Sequence, residues 1–228
     1  MNQPLRPRLW ESSVARMGVA IAALGVVSSL GPRAGATDFA VAIEGGIHSL
    51  SNSPSSAKAV FDGSTSGPIF GGSFRAVFKR RFFAAADVRH FSKSGERVYV
   101  ADPGGEVFPL GHPLELRIVP VTVTGGYRFR ASRAFVPYVG LGGGLASIKE
   151  ESTVGGVAEA ESRTKATAHV VGGLEYGRGL VRFAAEVSWS AIPNAIGLGG
   201  VSQLYGEDDL GGLSAIAKVI FSTTQKRR

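Results

Sequence analysis

The chain has 228 residues, of which 44% are hydrophobic and only 19% charged, with 32 glycines and a formal net charge of +7. That length can bury a sizeable core and sets one domain as the starting expectation. Glycine far above the usual share of about 7%, without a low-complexity run, points to strands that bend or approach closely. Cysteine is absent, which excludes disulfides and thiolate metal sites, and the dispersed basic residues accompany no nucleic-acid motif, so nucleic acid is not an expected partner.

Residues 1–36 read as a secretory signal peptide. Arg6, Arg8 and Arg16 lead into the charge-free run Met17 to Leu30, followed by Ala34-Gly35-Ala36, and cleavage is expected after Ala36. The apolar run of about fourteen residues is shorter than the roughly twenty that a spanning helix needs, which sets the uncleaved-anchor alternative aside. Removing Arg6, Arg8, Arg16, Arg33 and Glu11 lowers the formal charge from +7 to about +4. The expected route is Sec export, out of the cytoplasm.

Beyond Thr37 the dominant signal is a period of two, the mark of a strand with one greasy and one wet face. Phe39, Val41, Ile43, Gly45 and Ile47 alternate with Ala40, Ala42, Glu44, Gly46 and His48 in a first strand, and Ser49 to Gly67 reads as a loop. The second strand carries Phe70, Gly72, Phe74, Ala76 and Phe78 on one face. After the turn Lys79-Arg80-Arg81, a third places Phe82, Ala84, Ala86 and Val88 together. A long polar connection is expected from Ser92 to Pro113. The most regular stretch, Leu116 to Leu145, gives strands four and five, joined through Arg130 to Arg133, and Ile148 to Thr164 reads as the third long loop. Strand six sets Ala168, Val170, Gly172, Leu174 and Tyr176 on the greasy parity. The turn Gly177-Arg178-Gly179 leads to strand seven with Val181, Phe183, Ala185, Val187 and Trp189. A loop from Ile192 to Asp209 precedes strand eight, where Leu213, Ala215, Ala217, Val219 and Phe221 align. Residues 37–221 thus form one barrel domain, and 222–228 a short polar tail.

Two regularities outweigh any single strand. Connections after the even strands are very short and those after the odd strands are long, which suits a barrel with short periplasmic turns and four long extracellular loops. The in-strand charges Glu44, Arg75, Asp87, Arg89, Arg128, Glu175, Arg182, Glu186 and Lys218 all share the parity opposite the greasy one. A soluble sandwich shows the same alternation, so parity by itself leaves polarity open. Three features favour oil outside. These are the signal segment; the aromatics near strand ends, Tyr127, Phe129, Tyr176, Trp189 and Phe221, as a girdle; and an inner parity of small residues beside charges of both signs. Since lone buried charges cost several kcal/mol, the inward charges are expected to pair into a network filling the lumen.

The whole of Thr37 to Phe221 resembles the small bacterial outer-membrane β-barrels of the OmpA/OmpX type. The strand ending Gly126-Tyr127-Arg128-Phe129, the run from Pro137 to Gly144, the segment Gly172 to Tyr176 and the strand Gly211 to Phe221 carry that resemblance. It implies an all-β, eight-stranded antiparallel up-and-down transmembrane barrel in the outer membrane. The implied partners are outer-membrane lipid and lipopolysaccharide, the barrel-assembly machinery, and an extracellular partner met by the loops.

Chemistry-bearing motifs are few. His90-Phe91-Ser92 lies where strand three reaches the outer rim, with His90 and Ser92 on the lipid-facing parity. Outer-membrane lipid A deacylases place a His-x-Ser pair and a glutamate there, so Ser92 as nucleophile, His90 as base and Glu106 or Glu96 as orienting carboxylate form the alternative reading. Interfacial polar residues at a strand exit are the main one. His48, His112 and His169 show no metal-ligand spacing, and Gly140, Gly142 and Gly144 precede no helix that could present its N-terminus to a phosphate. The glycines are expected instead to make room in the lumen. Acidic loop residues such as Glu150, Glu207 and Asp209 read as solvated charge. No cofactor and no metal are expected. The favoured reading is a non-enzymatic barrel with a structural or surface-interaction role, with a small low-conductance channel as a further alternative.

Overall fold

The sheet grows from tight hairpins. Lys79 and Arg80 both have positive φ, 49° and 63°, and the Arg81 N–H donates to the Phe78 carbonyl at 3.1 Å. Phe78 pairs with Phe82, so Lys79, Arg80 and Arg81 make a three-residue loop whose first two residues form a turn of the mirror-image type, with a twist that matches that of antiparallel strands. The computed structural model describes residues 38–129, 134–154, 157–177, 179–196 and 201–223. The expected signal peptide and its cleavage point, the turn at 130–133, Arg178 and the end of the tail lie outside them.

The strands are β1 (Asp38–Ser49), β2 (Ser66–Phe78), β3 (Phe82–Val100), β4 (Val107–Arg128), β5 (Phe135–Val154), β6 (Val157–Tyr176), β7 (Val181–Ala191) and β8 (Gly212–Ser222). Each pairs antiparallel with the next, and β1 closes onto β8 to complete the ring. The closing register runs through Val41↔Phe221 and Glu44↔Lys218. Beyond it the Thr223 N–H donates to the Phe39 carbonyl at 2.8 Å. The eight-stranded antiparallel barrel is therefore the fold, and no sheet edge is left open at its waist.

Strand lengths fall into two groups. β1, β2, β7 and β8 have 12, 13, 11 and 11 residues, whereas β3, β4, β5 and β6 have 19, 22, 20 and 20. A tilted strand crosses a bilayer in about 9–11 residues, so the first group spans and stops. The second continues for roughly another 25–30 Å as a four-stranded sheet standing above the barrel. This corrects the expected loops at Ser92 to Pro113 and Ile148 to Thr164, which are mostly strand. Pro109 and Pro113 looked like loop residues, but they sit where β4 has no β5 partner, since that ladder begins at Leu114↔Ser152. A missing N–H is tolerated on such an edge. Pro120 falls in the gap of the β3–β4 ladder between Val88↔Val121 and Phe91↔Ile118. The ladder also shifts register at Arg97/Val98, close to Gly111, whose φ is +69°.

The other two long connections carry helices that alternation could not announce. The stretch Ser49 to Gly67, expected as loop, contains α1 (Pro54–Val60), with proline in its first turn, where a missing N–H costs nothing. The segment Ile192 to Asp209 contains α2 (Val201–Tyr205). Ser53 Oγ donates to the Asp209 carbonyl at 2.6 Å, and Asp209 Oδ1 accepts from the Ile192 and Gly211 N–H groups at 2.8 and 2.6 Å. These bonds tie the two connections together over the barrel mouth.

The greasy parity reverses along the tall strands. Val121 and Val123 of β4 face outward and are exposed, whereas Leu114, Leu116 and Ile118, on the other parity, are buried. On β5, Leu141 and Leu145 face outward while Ala146 and Ile148 are buried inside. Above the switch the outward positions are Glu115, Arg117, Lys149 and Glu151, and the inward apolar side chains join Leu50, Ala57, Phe61, Phe91 and Leu210 in one cluster. Below it the outer surface is apolar, and the interior holds the buried charges among small and apolar side chains such as Val77, Phe83 and Ile220. Such a reversal is what a change of surrounding medium from hydrocarbon to water demands.

Candidate functional site

Alternation sends one residue in two of each lower strand half into the lumen, and these side chains form two ionic layers. Toward the short-turn end Glu175 is 1% exposed and is the shared acceptor of three arginines. Arg75 bonds its Oε1, while Arg128 and Arg182 approach Oε2 at 2.7 and 3.4 Å. Arg75 is further held by aromatic faces, its guanidinium carbon 4.8 Å from the Phe83 ring centre and 5.1 Å from that of Tyr138. Arg128 Nε and Arg182 Nε are buried without a hydrogen-bond partner among the described residues.

At mid-height three carboxylates face two cations. Lys218 Nζ lies 2.9 Å from Glu44 Oε2 and 2.8 Å from Glu186 Oε2. Arg89 reaches Glu44 at 3.0 Å and Glu186 at 2.8 Å, and Asp87 stands about 4 Å from both cations. Tyr138 Oη donates to Glu186 at 2.8 Å and Thr124 Oγ1 to Asp87 at 3.1 Å. The two layers hold opposite imbalances, three cations on one carboxylate below and three carboxylates on two cations above. All nine charges singled out in the sequence lie in these layers. Tyr138, 1% exposed, links them and was missed, because an inward Tyr reads by parity as one more polar position.

Neutral groups fill the level above. His48 Nδ1 lies 2.8 Å from Ser214 Oγ and His169 Nε2 lies 2.8 Å from Thr124 Oγ1. Glycine gives these rings their space. A Cβ on Gly142 would come within 2.8 Å of His169 Cε1, and one on Gly173 would overlap the Tyr138 ring. Among the described residues, no cluster of three or more His, Cys, Asp or Glu could hold a metal ion. A cavity of about 40 Å³, lined by His48, Phe91 and His169 among others, is the space at this level. The apolar cluster under α1 lies over it.

On the outer surface Tyr127 packs edge-on against Phe82 and Phe129, with ring centres 5.4 and 5.0 Å apart, and Phe135 lies 4.7 Å from Tyr176. Phe221 faces outward, 48% exposed, on β8. These rings lie at the short-turn end. Trp189 is at the other end, its Nε1 donating to Asn52 Oδ1 at 3.1 Å. Parity alone did not mark Phe82 and Phe135 as parts of the same belt.

His90 and Ser92 both face outward, as their parity requires, but the structure does not assemble them with Glu106. Ser92 Oγ donates to Glu115 Oε1 at 3.0 Å. Glu106 adjoins Val107, which pairs with Val100 at the hairpin tip, about 25 Å of strand above Ser92. Glu115, above the apolar belt, accepts two bonds from Arg117, both at 2.8 Å. These bonds, then that from Ser92, hold its carboxyl down to about 2. The serine is thus bound to a carboxylate already saturated by a guanidinium, not to the imidazole a nucleophile would need.

No protein-family profile and no curated protein matches the chain. The fold is similar to that of a major outer membrane protein from Thermus thermophilus, at TM-score 0.52 and 7% identity, covering 83% of this chain and 100% of that one. Two further barrels align at TM-score 0.48. Neisserial surface protein A has 16% identity over 81% of this chain and 95% of its own. The attachment invasion locus protein Ail of Yersinia pestis has 12% identity over 82% of this chain and 98% of its own.

Proposed function

We propose that the chain is a non-enzymatic outer-membrane barrel that anchors the tall β3–β6 sheet and the helical cap outside the cell, as a structural or surface-interaction protein. The observation that carries this reading is the reversal of greasy parity, apolar outward around a charged lumen below and apolar inward beneath charged outward faces above. Lipid and lipopolysaccharide meet the lower surface, the assembly machinery inserts it, and any extracellular partner meets the hairpin tips. Among the described residues, packed side chains and an apolar cap lie over two ionic layers that fill the lumen, which supports an anchor over a channel. The bonding of Ser92 to Glu115 supports an interfacial role over acyl-ester hydrolysis.

The absence of cysteine makes orientation directly measurable. Asp102→Cys in the β3–β4 turn should react with a membrane-impermeant maleimide on intact cells, and Arg80→Cys only after permeabilisation. Labelling of Arg80→Cys on intact cells, or a chain found wholly in the periplasmic extract, would reject the placement. Lipid A acylation measured by mass spectrometry should be the same for Ser92→Ala and the parent, and a loss of deacylation in the variant would restore the hydrolase reading.

A further inference from the structure

The space above the barrel is not filled. Between α1, α2 and the inner face of the tall sheet lies a cavity of about 570 Å³, within the usual range of roughly 300–1,000 Å³ for small-molecule sites. Its deep surfaces come from Leu50, Leu116 and Leu210 below and Ala57 and Phe61 of α1 at the side, all buried. This floor is therefore apolar and walled by two elements tied together through the Ser53–Asp209 bond. A pocket with preformed walls loses little freedom on binding.

The polar lining is balanced. Arg97 and Arg163 face the cavity together with Glu150 and Glu161, two charges of each sign. Both cations are already engaged, Arg163 with Glu161 at 2.9 Å and Arg97 with Glu159 at 3.0 Å. The second pair joins β3 to β6, which are not neighbours in the ring, so it ties the two outer strands of the tall sheet together beside the cavity. An anion would meet Glu150 and Glu161 and would have to displace an existing pair to reach either arginine, and a cation would meet Arg97 and Arg163 beside Glu150, which has no ion-pair partner among the described residues. An uncharged ligand meets no like charge and displaces no pair.

We propose that this cavity binds an uncharged, mostly apolar small molecule, its body on the Leu50–Leu116–Leu210 floor and a neutral hydrogen-bonding end toward the Arg97–Glu159 bridge. This goes beyond an anchoring role and does not depend on it, because the cavity lies above the apolar belt. Such a site would give the chain a ligand-carrying or ligand-sensing function.

The test uses the folded, isotope-labelled protein in phosphatidylcholine nanodiscs, titrated with 2-naphthol as a neutral probe. Amide signals of Ala57, Leu116 and Ser202 should move together and saturate at one dissociation constant. 2-Naphthoate and 2-naphthylmethylammonium should each bind at least about tenfold more weakly. Ala57→Trp, which fills the cavity from α1, should abolish the saturable shifts, and Val201→Trp from the α2 side should do the same should the first variant fail to fold. Shifts that grow linearly and are confined to lipid-facing positions such as Val123 and Leu141 would mean bilayer partition only and overturn the proposal. So would tighter binding of either charged probe, or saturable shifts that survive in a folded filled variant.

Discussion

Glu175→Gln is the sharpest perturbation available, because it removes the one carboxylate in its layer. Arg75, Arg128 and Arg182 would then face each other in the lumen with no carboxylate left at ion-pair distance among the described residues, two of them already lacking a partner for Nε. Removing one partner of a buried ion pair costs about 3–5 kcal/mol, and here one removal strands three cations, so the upper part of that range is expected. Glu44→Gln is the internal control. Its partners Arg89 and Lys218 each keep Glu186 at 2.8 Å, and the mid-height layer passes from three carboxylates on two cations to two on two. The expected cost is about 1–2 kcal/mol, a charge-assisted hydrogen bond's worth. Reversible urea unfolding in phospholipid vesicles, followed by Trp189 fluorescence, gives both numbers. In the double variant Glu175→Gln/Arg75→Met, part of the lost stability should return, since one stranded cation is gone. A Glu175→Gln cost within about 1 kcal/mol of that of Glu44→Gln would refute charge imbalance as the organising principle of the lumen.

Arg80→Gly relieves a left-handed residue and should raise stability by about 0.5–1 kcal/mol, the steric gain exceeding the added freedom of the unfolded chain; a loss in the same unfolding assay would contradict the turn assignment. Gly173→Val places a branched side chain against the Tyr138 ring and should lower stability by about 1–3 kcal/mol, with Gly172→Val, where a Cβ meets nothing within 4 Å, as the near-neutral comparison. Glu207, from the β7–β8 connection, accepts the Ser55 and Ser56 N–H groups at 3.0 and 2.8 Å at the start of α1. Partial burial raises its pKa, but those donors outweigh it and hold the carboxyl below its usual value. A lowered folded value means the contact is complete above the ordinary glutamate range and is lost as pH falls through the folded value. Protection of the Ser55 and Ser56 amides, taken relative to their intrinsic exchange rates, should therefore fall in acid, and Glu207→Gln should show the low protection already at neutral pH; equal protection in parent and variant at neutral pH would show that the carboxylate is idle.

What the sequence disclosed follows from which forces repeat. Alternation is a local, periodic consequence of one face in oil, so the strands at Phe39 to Ile47, Val121 to Phe129 and Val181 to Trp189 could be read directly, as could the inward parity of Glu175 and Lys218. The tall hairpins were hidden because their greasy parity flips at Val119. Read with the lower parity, Leu114, Leu116 and Ile118 sit on the wrong side, and Pro109 and Pro113 look like loop punctuation. Helix α1 escaped because seven residues are too few to establish a helical period beside a Ser-Pro-rich loop. The pairing of Ser92 with Glu115, 23 positions away, depends on register across β3 and β4. No spacing rule within either strand contains that information.

The parity flip also has a mechanical meaning. It occurs at matching heights on β4 and β5, where Pro120 stands opposite Ala146, so a vertical displacement of one residue pair would push Arg117 or Lys149 into hydrocarbon or lift Val121 and Leu145 into water. Either movement is opposed by several side chains at once. The barrel is therefore pinned like a float at its waterline, and the tall sheet and the cavity behind it are held at a fixed elevation above the apolar belt.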